Sequence, residues 1–241
     1  MISRAQGVSL AAISLLALAV FAWPFLPFDF DQHSAQWISL AAIAVLLLIS
    51  ASLLDGALRG PKQIALLAVL AAVGAGVRIA TGGTGGLELV FLTVILGGRA
   101  FGPRFGFLLG IATIAVSSLF FGGFGPWTGY QMFATAWMGA GAGLIFRGKT
   151  RFEPILLAGY GVLCSYLFGL LLNLWFWPVA TTSASLSYQA GAPLIENLLS
   201  FLSFSLVSST LSWDTVRAVS VGVALLVLAR PALRALRRAK L

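Results

Sequence analysis

The chain has 241 residues, of which 59% are apolar and 9% charged, with a net charge of +8 and a mean hydropathy of +0.99. So few charges cannot clothe a soluble domain of this length, and lipid must be the solvent for most side chains. One cysteine, Cys164, excludes an internal disulfide and a multi-cysteine metal site. One histidine, His33, excludes a histidine cluster or a histidine-based triad.

Eight apolar runs are expected to be membrane helices, over residues 6–25, 36–54, 63–81, 87–98, 103–121, 127–146, 153–178 and 211–230. The first follows Arg4 and carries Ala17-Leu18-Ala19, a formal signal-cleavage motif. Its apolar run continues to Phe28, so the span is expected to be retained. The third carries an alanine stripe, Ala65, Ala68, Ala72 and Ala75. That stripe reads either as internal packing or as a docking face for another membrane subunit. The fourth run is too short, at ~1.5 Å per residue, to cross a ~30 Å hydrocarbon core alone. It must borrow the Gly-rich turn at residues 81–86 or break inside the protein. The fifth and sixth runs form a hairpin through Gly122-Gly123-Phe124-Gly125-Pro126-Trp127. Gly106/Gly110 and Gly139/Gly143 on those runs have the spacing that lets helix backbones approach, and are expected to pack within the chain.

Between the seventh and eighth runs, residues 179–209 are too long for a turn. Their first part is polar and expected to be mobile. Their second, from Pro193 to Leu202, has helical spacing. It reads equally as an interfacial amphipathic helix or as a lid over an outward-facing site.

All but two of the 15 Lys and Arg residues fall on one side of this arrangement. The positive-inside rule makes that side cytoplasmic, with both termini inside. The exceptions, Arg78 and Arg217, lie near the outer ends of the third and eighth spans. Trp23, Trp37, Trp127, Trp175, Trp177 and Trp213 also fall at outer boundaries. A headgroup belt suffices to explain Trp23 and Trp37.

Gly143 to Thr150 fits the phosphate-loop pattern GxxxxGK[ST]. Its first glycine ends a membrane helix and Pro154 follows closely, whereas a phosphate loop needs a strand before it and a helix after it. It reads as coincidence, and the chain is expected to have no ATPase site of its own. Charges inside spans are costly and need partners. Asp214 and Arg217 are spaced i, i+3 and can pair, and Arg78 could pair with Glu88 across the Gly-rich turn. Glu88, Trp127, Tyr130, Gln131, Asn173, Trp175, Asp214 and Arg217 share one depth near the outer face, as a small-molecule pocket would require. A membrane enzyme using Glu88 or Asp214 as acid or base would need a neighbouring nucleophile or metal, and no acidic cluster appears. An independent secondary transporter or channel is the alternative reading, but only residues 81–98 look like a broken element and no repeat is visible. No cofactor or metal site is expected.

The wording of the chain is more specific than its periodicity. ALLAVLAAVGAGVRIA, LELVFLTVILGGRAFGPRFGFLLG, FGGFGPWTGYQM, NLWFW, ENLLSF, SWDTVRAV and ARPALRALRRAKL occur in that order from residue 65 onward. This series resembles the substrate-binding S components of energy-coupling factor (ECF) vitamin transporters, and most the actinobacterial-type group associated with cobalamin or vitamin import. The resemblance implies an all-α polytopic membrane protein with a six-helix core at residues 61–241, preceded by two additional helices at residues 1–60. It implies a bacterial cytoplasmic membrane location, a vitamin-like ligand with cobalamin as first guess, and partnership with a T component and two ABC-type ATPases. Trp127, Tyr130, Gln131, Asn173, Trp175, Asp214 and Arg217 would line or border the pocket, and Ala68 and Ala72 would face the T component. The two N-terminal spans depart from the family's usual six. So does Arg217, where a neutral residue or histidine is expected.

Overall fold

The computed structural model describes residues 4–26, 32–54, 60–82, 84–145, 150–183 and 185–239. Among these all the regular secondary structure is helical. In order run α1 (Arg4–Phe21), α2 (Gln32–Leu54), α3 (Pro61–Thr81), α4 (Val90–Phe101), α5 (Pro103–Ser118), α6 (Pro126–Ile145), α7 (Glu153–Phe176), α8 (Leu194–Ser205), a π-helical segment (Leu206–Asp214) and α9 (Thr215–Ala239). Proline starts α3, α5 and α6 and stands second in α7. It suits these positions because the missing N–H would have no helical partner there and φ is already set. Between α4 and α5 the chain reverses at a single residue, Gly102, with φ of 103° at Gly60 and 100° here marking glycine-only conformations.

Pro61–Thr81, Glu153–Val179 and Leu194–Ala239 are each long and apolar enough to cross a membrane. α4 is not. Its 12 residues are buried along most of their length by α5, α6, α7 and α9. A helix of about 18 Å is tolerable at membrane depth because protein, not lipid, surrounds it. Outward-facing Leu15, Leu48, Val69, Val73, Val223 and Val227 are exposed, as residues that meet acyl chains should be.

Glycine brings α4, α5 and α6 into backbone contact. A Cβ on Gly106 would lie 2.2 Å from the Gly139 carbonyl oxygen, and one on Gly98 would lie 2.0 Å from the same atom. Gly110 meets the Thr135 backbone and Gly143 the Gly102–Pro103 backbone. The small-residue pairs of the hairpin therefore pack within the chain. Gly143 is a packing glycine inside α6, and the remainder of the phosphate-loop pattern, Gly148-Lys149, lies outside the described residues.

One end of the bundle is tied by Glu153, in the first turn of α7. Its carboxylate takes Arg99 from the end of α4 at 2.7 Å and Arg237 from the end of α9 at 2.6 Å. This is the basic end of the sequence map. The start of α6 and the ends of α3, α5 and α7 therefore meet at the opposite end.

Helices α1 and α2 lie against α6. Phe21, Ile43 and Leu47 share a core with Tyr130 and Phe133, and the Trp137 indole donates to Ser14 Oγ at 3.1 Å.

Two expectations change. The stretch from Pro193 is one continuous rod with the last span, from Leu194 to Ala239. The nine-residue π segment bridges the two, so no loop precedes the eighth span. The polar part before it, expected to be mobile, is followed by residues that hydrogen-bond to the helices. Asn197 Nδ2 donates to the Gln189 carbonyl at 2.8 Å, its Oδ1 accepts from the Gln189 N–H at 3.1 Å, and Trp177 Nε1 donates to the Leu186 carbonyl at 2.7 Å. Side chains here supply the partners that a helix or strand would otherwise give the backbone. Finally, Trp23 is buried rather than placed in a headgroup belt. It meets Tyr188, which also packs on the fully buried Trp177. Trp37 stays exposed.

Candidate functional site

The end of the bundle opposite Glu153 is built around Arg217, in the first turn of α9. The side chain is 8% exposed. Its Nε donates to Glu88 Oε2 at 2.6 Å, and its Nη1 donates to Asp214 Oδ1 at 2.6 Å and to the Ser165 carbonyl at 3.2 Å. The guanidinium lies 5.1 Å from the Phe168 ring centroid and 5.7 Å from that of Phe91. Two carboxylates and two ring faces thus compensate one buried cation.

Asp214 is more deeply buried, at 1% exposure. Its second oxygen accepts from Ser209 Oγ at 2.8 Å, and Ser209 in turn accepts from Asn173 Nδ2 at 2.8 Å. The Ser209–Asp214 spacing is i, i+5. An α-helix would rotate these two side chains apart, whereas π winding brings them together. Thr215 Oγ1 repeats the relation, donating to the Thr210 carbonyl at 2.7 Å. Room for the Asp214 carboxylate comes from Gly169 of α7, where a Cβ would lie 2.2 Å from both Asp214 oxygens. Glu88 reaches Arg217 because the chain before α4 leans on the end of the π segment, next to α9. Gly86, at φ 91°, leaves no space for a Cβ beside the Trp213 backbone.

The expected Arg78–Glu88 pair is not made. Arg78 Nη1 donates instead to Ser117 Oγ at 2.7 Å and its Nη2 to Gln131 Oε1 at 2.9 Å. Its guanidinium stands 5.7 Å from the Phe121 ring centroid. Arg217 wins Glu88, and neutral groups of α5 and α6 satisfy Arg78. The Asp214–Arg217 pair forms as its spacing indicated.

Trp175 joins the aromatic members. Its ring centroid lies 5.9 Å from that of Trp127 and 6.4 Å from that of Tyr130. Trp127 is half-buried, but Tyr130 is fully buried, donates to Ser39 Oγ of α2 at 2.7 Å and meets Phe21 of α1 edge-on at 4.7 Å. The eight candidate residues therefore fall into three groups at one end of the bundle. Glu88, Asn173, Asp214 and Arg217 make the ionic network, Gln131 holds Arg78, and Trp127, Tyr130 and Trp175 make an aromatic wall. Among the described residues the buried Trp175 Nε1 has no hydrogen-bond partner, an uncommon state for a buried donor.

Sequence reasoning did not single out Ser117, Ser165, Gly169 or Ser209. Only π periodicity would have aligned Ser209 with Asp214, and nothing local announces π winding. A cavity of about 340 Å³ beside the π segment, between Tyr166, Leu170, Ser203 and Leu206, and one of about 680 Å³ between α1 and α2, are lined by residues other than the eight.

The alanine stripe divides. Ala65, Ala68 and Ala72 are exposed on one face of α3, together with Gly76 and Ala80. Ala75 is not part of that face. It is 2% exposed and lies on the side where Gly74 abuts Thr113 of α5.

A family model described as ECF transporter, substrate-specific component, matches residues 62–227. The chain belongs to this family. The matched segment runs from the start of α3 into α9 and contains all eight candidate site residues and the alanine stripe. As an ECF S component the protein is a membrane-embedded, substrate-binding transport subunit rather than an enzyme, of the kind that associates with a T component and ATPases. Helices α1 and α2 precede the match. No curated protein and no solved structure matches the S component.

Proposed function

We propose that this S component captures a vitamin-like small molecule from the outer side of a bacterial cytoplasmic membrane, at the junction of the ionic network and the aromatic wall. A large planar solute of the cobalamin kind is the first candidate. The observation that carries the reading is the orphaned Trp175 indole Nε1 in the aromatic wall with Trp127 and Tyr130, at the same end of the bundle as the Glu88–Arg217 pair. Apolar walls with a few convergent polar groups are what a small-molecule site offers, and a buried unsatisfied donor is a group that a ligand can satisfy. The segment from Val179 to Pro193 is the cover. Entry requires it to lift, so bound and free forms must differ in its position.

Docking on the T component uses the exposed face Ala65, Ala68 and Ala72, whose small side chains permit close helix approach in lipid. ATP-driven rearrangement of the partners then turns the loaded site inward. Coupling requires that docked and undocked states bind the solute unequally. Helices α1 and α2 brace α6, the helix that carries Trp127, Tyr130 and Gln131.

Mass spectrometry of small molecules retained by the gently purified protein tests the reading. A retained vitamin-class compound that is lost in Trp175→Ala supports it. Absence of saturable binding to any vitamin, together with no co-purifying T component or ATPases, overturns it.

A further inference from the structure

The last turns of α9 carry arginines that the bundle does not use. Val219, Val223, Leu226 and Val227 are exposed along one face of this helix, while Val221, Leu225, Ala229 and Leu233 are buried on the other. Arg230, Arg234 and Arg238 continue the exposed face at i, i+4 steps. Arg230 stands about three turns from Val219 and so nearly beneath it. The residues above Ala229 on this face are apolar and meet acyl chains. The same face turns cationic within one residue, at the depth where acyl chains give way to headgroups.

Among the described residues no carboxylate pairs with Arg230, Arg234 or Arg238. Among the described residues, the carboxylate at this end is Glu153, and it is held by Arg99 and Arg237. Arg230 steadies itself with a neutral group, donating from Nη2 to the Arg151 carbonyl at 3.1 Å. That contact brings exposed Arg151, whose guanidinium lies 4.6 Å from the Phe152 ring centroid, beside the stripe. Three guanidinium groups thus edge one lipid-facing surface, with the Arg151 backbone against Arg230.

We infer that Arg230, Arg234 and Arg238 form a binding site for the headgroup phosphate of an anionic phospholipid, whose acyl chains lie along Val219, Val223 and Val227. Guanidinium groups suit phosphate because they offer paired donors. A surface arginine near an anionic leaflet strengthens binding roughly fivefold, so a stripe of three discriminates strongly against a neutral lipid. The anchor would hold the inner end of α9 while the outer end, at Asp214 and Arg217, works on the solute.

The test is native mass spectrometry of the full chain in mild detergent, with phosphatidylglycerol and phosphatidylcholine offered together. The wild type should retain phosphatidylglycerol preferentially. R230Q/R234Q/R238Q should weaken that retention roughly 10- to 100-fold, and R230K/R234K/R238K, which keeps the charge but loses the paired donors, should weaken it less. Glycerol phosphate in the same solution should not displace the lipid, since it lacks the chains that fill the apolar face. Equal retention of the two lipids by the wild type overturns the proposal without reference to any variant. Displacement of the lipid by glycerol phosphate at equal concentration would assign the arginines to a soluble phosphate and overturn it too. So would a Gln variant that keeps its lipid but loses co-purifying ATPases, which would make the stripe a protein-docking surface.

Discussion

Arg217 of α9 holds Glu88, 129 positions earlier in the chain, at 2.6 Å. That one contact fastens the turn before α4 to the start of the last helix, and it takes the partner that Arg78 was expected to have. A buried cation with two carboxylates is costly to break from one side only.

Arg217→Gln should therefore destabilise the protein by about 3–5 kcal/mol, because Asp214 keeps its burial and loses its partner. Thermal melting in detergent reads the loss. Replacing the pair together, as R217M/D214L, should recover much of the stability, since apolar substitution of a whole buried pair is often neutral. It should not recover solute binding. Binding that survives in the double variant would remove the network from the site.

Gly169→Ala should cost more than a helical glycine-to-alanine change normally can. The added Cβ would fall 2.2 Å from the Asp214 carboxylate and force it off Arg217. A loss of about 1–3 kcal/mol is expected. Gly159→Ala, on the same helix with nothing within 4 Å, is the control. It should be neutral or stabilising by up to about 1 kcal/mol. Equal melting points for the two variants would contradict the packing described.

On α3, bulk separates docking from folding. Ala72 is exposed, so Ala72→Trp should leave the melting point of the isolated S component within a few degrees while abolishing co-purification with the T component. Ala75 is buried, and Ala75→Trp should unfold or strongly destabilise the protein by overpacking. If Ala72→Trp still assembles, the docking face lies elsewhere.

Asn197→Leu should release the cover. It removes both bonds to the Gln189 backbone and leaves buried groups unpaired, at a cost of about 1–3 kcal/mol. Hydrogen exchange over residues 185–192 should accelerate while exchange in α4 and α6 stays unchanged. Uniform protection in both proteins would show that the segment is held by its aromatic contacts alone.

Much of this was legible from residue order. The apolar runs located the helices because a chain in lipid must satisfy its backbone internally, and helices do so within one segment. Basic residues sorted to one end, and the structure gathers Arg99, Arg237 and Glu153 there. The i, i+3 spacing gave Asp214 and Arg217 to each other. Glu88 was misassigned because sequence proximity favoured Arg78, while the choice between two arginines depends on how α3 and α9 are rotated. Ala75 was misassigned for a similar reason. Four alanines at helical spacing look alike until a neighbour, here α5, covers one of them.

The sequence by itself therefore determined the medium, the helix count to within the join at α8, the basic end of the bundle and, through its wording, the family. Those follow from composition and from local periodicity. Only the tertiary structure decided which buried charges pair, that nine residues before α9 wind as a π helix, that Tyr130 turns toward α1 and α2, and that Asn197 and Trp177 bond to the outer segment. Each of these depends on the close approach of side chains far apart in the chain, where tenths of an ångström and a single glycine such as Gly169 select among partners the sequence leaves equivalent.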